Sequence, residues 1–553
     1  MSALESDHGY EGQSQQETLM RFTKPTMLIT ARLPLIPVGL VLLSLLALQA
    51  LPVQAVGHAE SGNGRALATR STLEGEPFPD VAQAAIREPG NARSDLAQVE
   101  AGFADGGDDA GPAQLPRSPV APPLLQRETT DGTPVAAVFL TILLLLIVAL
   151  VLLYAVRHYL FTLNRLFGRQ RHPYLDIDIA TWPTLTVLIA AHNEEAVIAG
   201  SLECLLHADY PADRLTLMPV NDRSTDRTQE IIDEYVARFP GRITPFHRAG
   251  GKPGKAAALK DASTLVNSEI VVVFDADYLP PVGLLKQLVA PFFDPEVGAT
   301  MGRVVPMNLG RNLLTRLLDL ERSGGYQVDQ QARMNLNLVP QYGGTVGGIR
   351  MRALGSAGGW HDDVLAEDTD LTYRLLLAEW KTVYQNWSEC YEEVPETWPV
   401  RVRQIMRWTK GHNQALYRHG WRMALCRHHG TMERIDGVAL LGIYMMAPLM
   451  LLGWLLAILL FYSGGLALLG TAVMLFALMS YGSLGNFAAF FEIAAAVHLD
   501  GSRERIRLLP LNYFGFLVSM LSVSRAIFDQ IVVDHLLGRE LRWDKTARYR
   551  QGG

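Results

Sequence analysis

The sequence predicts an α/β domain, built on a mostly parallel sheet, inserted between transmembrane α-helices. From residue 185 onward, short apolar runs alternate with amphipathic helical stretches. Strand–helix alternation of this kind implies a parallel sheet with right-handed crossovers. Apolar runs long enough to cross a bilayer lie on both sides of that region. Polar clusters fall at the ends of the predicted strands, where open α/β sheets bind ligands.

The 553 residues exceed one ordinary core, so several regions are expected. Residues 1–55 contain an apolar run that follows Arg21, Lys24 and Arg32 and ends in "LPVQA". Basic, then apolar, then small residues make a signal peptide, and the run is also long enough for an uncleaved anchor. Either sends residues 56–134 outside. That segment is rich in Ala, Gly, Pro, Ser and acidic residues and reads as a disordered extracytoplasmic linker, because it cannot bury enough apolar surface to offset its ordering entropy. Residues 135–156 form an uncharged transmembrane helix, and Arg157, Arg165, Arg169 and Arg171 behind it mark the cytoplasmic side.

Apolar runs return at 438–462, 466–497 and 508–533, a C-terminal transmembrane region over 437–533. Arg525 and Asp529 in the last run are one helical turn apart and suited to pair. A basic tail, 534–553, closes the chain. The expected location is the cell (inner) membrane, multi-pass, with the catalytic domain in the cytoplasm and membrane lipids as neighbours. A net charge of −7 gives no sign of a nucleic-acid partner, and Cys204, Cys390 and Cys426 show no metal-ligand spacing.

Within residues 183–395, "LTVLIAAHNEE" and "LTLMPVNDRSTD" each lead from a strand into a helix, and residues 243–248 add a third strand. The run "EIVVVFDADYLPP" reads as a strand buried on both faces. Period-two alternation would put Asp275 and Asp277 on one side. Two adjacent carboxylates call for a cation between them, and hard oxygen ligands suit Mg²⁺ or Mn²⁺ shared with a diphosphate. The turn "AGGKPGKAA" departs from a phosphate loop, with Ala249 where Gly is needed and Ala256 where Ser or Thr is needed. Lys255 opens a helix there, either solvated or meeting a phosphate.

In "LAEDTDLTYRLLLAEW", Glu367, Asp368 and Asp370 start an amphipathic helix, where carboxylates also serve as caps. The region 396–430 holds a basic amphipathic helix suited to a membrane surface. Its Gln404, Arg407 and Trp408 share one face by their spacing. A guanidinium fork there suits diphosphate oxygens and an indole suits a sugar ring. The alternative for Trp408 is a membrane-interface anchor.

The ordered set "VNDRSTD", "DAD", "AEDTD" and "QIMRW" resembles the membrane-embedded glycosyltransferases of family 2, the group of cellulose, chitin, hyaluronan and poly-N-acetylglucosamine synthases. The resemblance implies a GT-A-type nucleotide-sugar domain and inverting transfer from a UDP-sugar. It assigns Asp222 to the uridine and Asp275 and Asp277 to the metal, Mg²⁺ or Mn²⁺, and the diphosphate. Glu194, Lys255 and Arg407 join the donor side. Asp368, with Glu367 beside it, takes the place of the catalytic base, and Gln404 and Trp408 that of the acceptor platform. Where family members often carry two adjacent aspartates, this chain has Asn221 and Asp222. The expected acceptor is a growing β-linked polysaccharide exported through the enzyme's own helices; the alternative is a glycolipid.

Overall fold

The computed structural model describes residues 135–171, 181–463 and 486–536. The predicted signal or anchor segment, the linker 56–134, residues 464–485 of the C-terminal region and most of the basic tail lie outside them.

The centre of the fold is a seven-stranded sheet in the order β3-β2-β1-β4-β6-β5-β7. Its strands are β1 (Leu185–Ala191), β2 (Leu215–Asp222), β3 (Phe246–Arg248), β4 (Ile270–Asp275), β5 (Val297–Pro306), β6 (Gly347–Arg350) and β7 (Lys381–Glu392). The first four pair in parallel, as do β5 and β7, while β6 runs antiparallel between β4 and β5. The sheet is therefore mixed but mostly parallel. The third strand is shorter than the sequence suggests, since Ile243 makes only one isolated bridge to Leu217.

Alternate residues of each central strand feed two different cores, which is why these strands read as continuous apolar runs. Val187, Ile189, Leu217, Val272 and Phe274 meet the side chains of Ile198, Leu202 and Leu205 on one side. Those three lie on α1 (Ile198–Leu206), and α2 (Thr228–Arg238) adds Ile232. Leu188, Met218, Val271 and Val273 meet Ala258, Leu259 and Ala262 of α3 (Lys255–Ser263) on the other.

The Gly-rich "GGTVGGIR" carries little strand propensity, yet it supplies β6. A Cβ at Gly347 would stand 2.6 Å from the Tyr342 ring, and one at Gly348 2.7 Å from that of Phe292. Only glycines let this strand slide between its neighbours.

Beyond the sheet come α4 (Leu313–Ser323), α5 (Glu367–Leu377), α6 (Trp398–Leu425) and α7 (Thr431–Leu441). Among the described residues three helical stretches are long and apolar enough to cross a membrane: Val135–Phe167, Ile443–Tyr462 and Glu504–Val532. The first and second pack together through Leu144, Ile147, Val148, Leu456 and Leu460. Arg157 is more than a topology signal. Its guanidinium is buried against Asp329 at 2.9 Å and Asp436 at 3.0 Å, tying the first stretch to the sheet domain. Arg525 and Asp529 stand 3.7 Å apart, the pairing their spacing suggested.

Candidate active site

The ends of β1 and β2 are stitched together by their loops. The Asn193 amide donates to Ser224 Oγ at 2.9 Å, and the Thr225 amide to Asn193 Oδ1 at 2.7 Å. Asn193 sits at φ 55°, a left-handed conformation that Asn tolerates. Glu194 is buried and held by its backbone, its amide donating to Thr228 Oγ1 at 2.8 Å. His192 Nδ1 donates to the carbonyl of Asp222 at 2.6 Å.

Asp222 closes β2 as the hub of the next loop. Its carboxylate accepts from Arg248 Nη1 at 2.6 Å, Arg223 Nε at 2.9 Å and the Gly254 amide at 3.0 Å. Burial would raise its pKa, but these donors outweigh burial and hold the carboxyl below the usual range. Gly254 immediately precedes Lys255, so Asp222 fixes the turn that delivers this lysine.

Lys255 is a cation on Asp275, set between it and Glu367 rather than between Asp275 and Asp277. Its Nζ lies 2.6 Å from Asp275 Oδ1 and 2.8 Å from the Gly344 carbonyl, with Glu367 Oε1 at 4.0 Å. Of the two sequence alternatives, solvated or meeting a phosphate, the purely solvated one does not hold, because the ammonium has protein partners. One expectation needs correction. β4 ends at Asp275, and Asp277 lies in the following turn, where the Tyr278 amide donates to the Asp275 carbonyl at 3.2 Å. Strand alternation therefore does not align the two carboxylates. Asp277 is 2% exposed, whereas the Asp275 side chain is 30% exposed.

The three acidic residues opening α5 do three different things. Burial pushes the Glu367 carboxyl up, against the opposing pull of Lys255; Asp368 adds to the rise and Arg407 opposes it. Arg407 therefore lies within electrostatic reach of this cluster. Asp368 Oδ1 accepts the Thr369 amide at 2.7 Å, so part of the capping reading holds. Its Oδ2 faces Gly344, which sits at φ +72°; a Cβ there would come within 3.0 Å of the Asp368 Cβ.

Asp370 belongs to the framework. It is fully buried, with Arg374 Nε at 2.7 Å, His419 Nε2 at 2.8 Å and His361 Nδ1 at 2.9 Å. Burial alone would raise its pKa, yet His419 and Arg374 bring it down to about 2. A depressed folded pKa adds stability above the unfolded carboxylate range, and this is lost as pH falls from about 4 toward 2. Asp370→Asn should cost about 3 kcal/mol or more, because it leaves the buried Arg374 guanidinium without its counter-charge. Thermal unfolding of the detergent-solubilised protein checks this, and an unchanged midpoint would refute it.

On α6, Gln404 accepts from Arg401 Nη1 at 2.9 Å. The Trp408 ring is half-buried, with the Arg322 guanidinium 5.3 Å and that of Arg401 5.4 Å from its centroid. The most exposed aromatics of this helix are instead Tyr417 and Trp421, 62% and 55% exposed, which suit an interface anchor better than Trp408 does. One turn on, His412 reaches Thr369 Oγ1 at 3.4 Å and meets the Tyr444 ring edge-on at 4.9 Å.

The structure thus unites Lys255, Asp275, Gly344, Glu367 and Asp368, with Asp222 one loop removed. Gly344, Thr345 and His412 escaped the sequence reading. Thr345 Oγ1 accepts the Asp275 amide at 3.2 Å, but a Thr beside a glycine pair carries no spacing signal. Only the step of four from Trp408 pointed to His412.

Comparison with known proteins shows that residues 183–411 match the family described as "Glycosyltransferase like family 2". A probable glycosyltransferase, YdaM, of Bacillus subtilis (strain 168) is 28% identical over 406 residues, covering 71% of this chain and 92% of that protein. The β-monoglucosyldiacylglycerol synthase of Synechocystis is 33% identical over 266 residues, covering 48% of this chain and 55% of that enzyme. The chain spans just over half the length of this relative. Among solved structures, a mannosyltransferase of Pyrobaculum calidifontis in complex with GDP-Man and Mn²⁺ aligns with a TM-score of 0.45 at 22% identity, over 65% of this chain and 96% of that one.

Proposed function

We propose that this chain, whose residues 183–411 match the glycosyltransferase family 2 model, transfers a sugar from a nucleoside-diphosphate donor, UDP-linked by the motif set, to a lipid acceptor at the membrane. Its mostly parallel seven-stranded sheet is of the GT-A type. The observation that carries the site reading is the convergence of Lys255 and Asp275 on the N-terminus of α5, where Asp368 and Glu367 stand. The likeness to a glucosyldiacylglycerol synthase supports a lipid acceptor over a polysaccharide. The His412–Tyr444 contact supports it too, because Tyr444 opens the membrane-length stretch Ile443–Tyr462 and brings α6 to its mouth.

The chemistry follows from the groups. An acceptor hydroxyl attacks the anomeric carbon opposite the diphosphate; the new C–O bond forms as the old one breaks, with inversion. Asp368 takes the hydroxyl proton. Its Oδ1 is held by the Thr369 amide, which leaves Oδ2 for the proton. Lys255 and Arg407 offset the charge that grows on the departing diphosphate. Asp275 and Asp277 are hard oxygen donors, and two carboxylates suit an ion that completes its shell from water and diphosphate. They would hold Mg²⁺ or Mn²⁺, which when bound supplies further charge neutralisation at the leaving group. Asp222 keeps the Lys255 turn in place. The catalytic domain lies on the cytoplasmic side by the positive-inside pattern.

The test is product class. Membranes containing the enzyme are given a panel of radiolabelled nucleotide sugars and diacylglycerol micelles. The expected product is organic-extractable and carries one or two sugars. Water-soluble polymer that lengthens with time would overturn the lipid reading in favour of a polysaccharide synthase.

A further inference from the structure

Three polar side chains outside the ordered motifs connect the Asp275–Asp277 turn to Trp408. Tyr278 follows Asp277 directly and is 4% exposed, and its hydroxyl donates to Glu392 Oε2 at 2.7 Å. Glu392 closes β7, and its Oε1 lies 2.7 Å from Arg322 Nε. Arg322 sits in the last turn of α4 and carries its guanidinium to the Trp408 ring. Its neighbour Glu321 binds Arg401, the second guanidinium at that ring. One helix end thus fixes both cations around the indole. The main chain follows the same route, with the Leu279 amide donating to the Tyr391 carbonyl at 3.1 Å.

An arginine alone has many rotamers, and a guanidinium over an aromatic ring gains little unless it is held there. Glu392 holds it, and Tyr278 holds Glu392.

We propose that Tyr278, Glu392 and Arg322 are positioning residues that set the Trp408 indole relative to the Asp275–Asp277 turn, joining the donor side of the site to the acceptor side. This rests on the reading of Trp408 as the acceptor platform. A loosened relay misplaces the acceptor but not the nucleotide, so sugar is lost to water instead of being transferred.

The experiment uses the full chain in native membranes, which supply the acceptor, with the radiolabelled nucleotide sugar that the enzyme turns over. Tyr278→Phe and Arg322→Gln should each lower the ratio of sugar transferred to sugar hydrolysed by about fivefold or more, the size expected for one lost hydrogen bond. Arg322→Lys should recover part of the ratio. Binding of UDP with Mn²⁺ to the purified variants, measured by calorimetry, should stay within about twofold of the parent. Tyr278→Phe combined with Trp408→Ala should be no worse than Trp408→Ala alone, because residues acting through one group are not additive. An unchanged ratio in Tyr278→Phe, or multiplied losses in the double variant, would overturn the relay. If Trp408→Ala itself leaves the ratio unchanged, the platform reading falls, and the relay falls with it.

Discussion

Asp368→Asn should lower the transfer rate by at least about 10²-fold while leaving the fold and nucleotide binding close to the parent. The asparagine keeps a side-chain oxygen where Asp368 Oδ1 now accepts the Thr369 amide at 2.7 Å, so the helix end remains satisfied. What disappears is the proton acceptor. Loss of a negative charge at a helix N-terminus costs only about 0.3–1 kcal/mol, too little to unfold the domain. The measurements are transfer at saturating donor, UDP binding by calorimetry and the thermal midpoint in detergent. A near-normal rate with a lowered midpoint would show that Asp368 only caps its helix. Asp370→Asn gives the opposite pattern, because its carboxylate is locked between Arg374 and His419. The two variants, two residues apart along one helix, should thus separate chemistry from framework.

Removal of divalent ions should abolish transfer, and Mg²⁺ or Mn²⁺ should restore it. A cation at a departing diphosphate contributes several kcal/mol, and each 1.4 kcal/mol is a factor of ten, so the loss should exceed about 10²-fold. Asp277→Asn keeps the volume of this buried side chain and should lose activity to a similar extent, with an unchanged midpoint. Lys255 already meets Asp275, so one charge remains in place after chelation and the site should not collapse. Full transfer by Asp277→Asn in excess EDTA would sink the metal assignment.

The parallel sheet was legible because its central strands are buried on both faces, and continuous apolar runs such as Ile270–Phe274 have no other comfortable place. Strand β6 was not legible. Its glycines signal a turn locally, and only the approach of Tyr342, Phe292 and Thr300 makes them a strand. The candidate motif residues were picked out by the order of short polar motifs along the chain, which resembles a family pattern. Their roles were harder to read: the alternation argument for Asp275 and Asp277 failed where β4 ends, and Asp370 looked the same as Asp368.

The sequence by itself determined the alternating strands and helices, the membrane-length apolar runs and the set of acidic and basic residues from which a site is made. Those features depend on local pattern, hydrophobic periodicity and charge, which act over a few neighbouring positions. Tertiary structure alone decided that Lys255 is the cation on Asp275, that Asp222 holds its loop, and that Arg322, paired with Glu392, lies over the Trp408 ring. Each of these is a contact between residues far apart in the chain. Burial makes such pairings strong, because a charge withdrawn from water must find its partner within the protein.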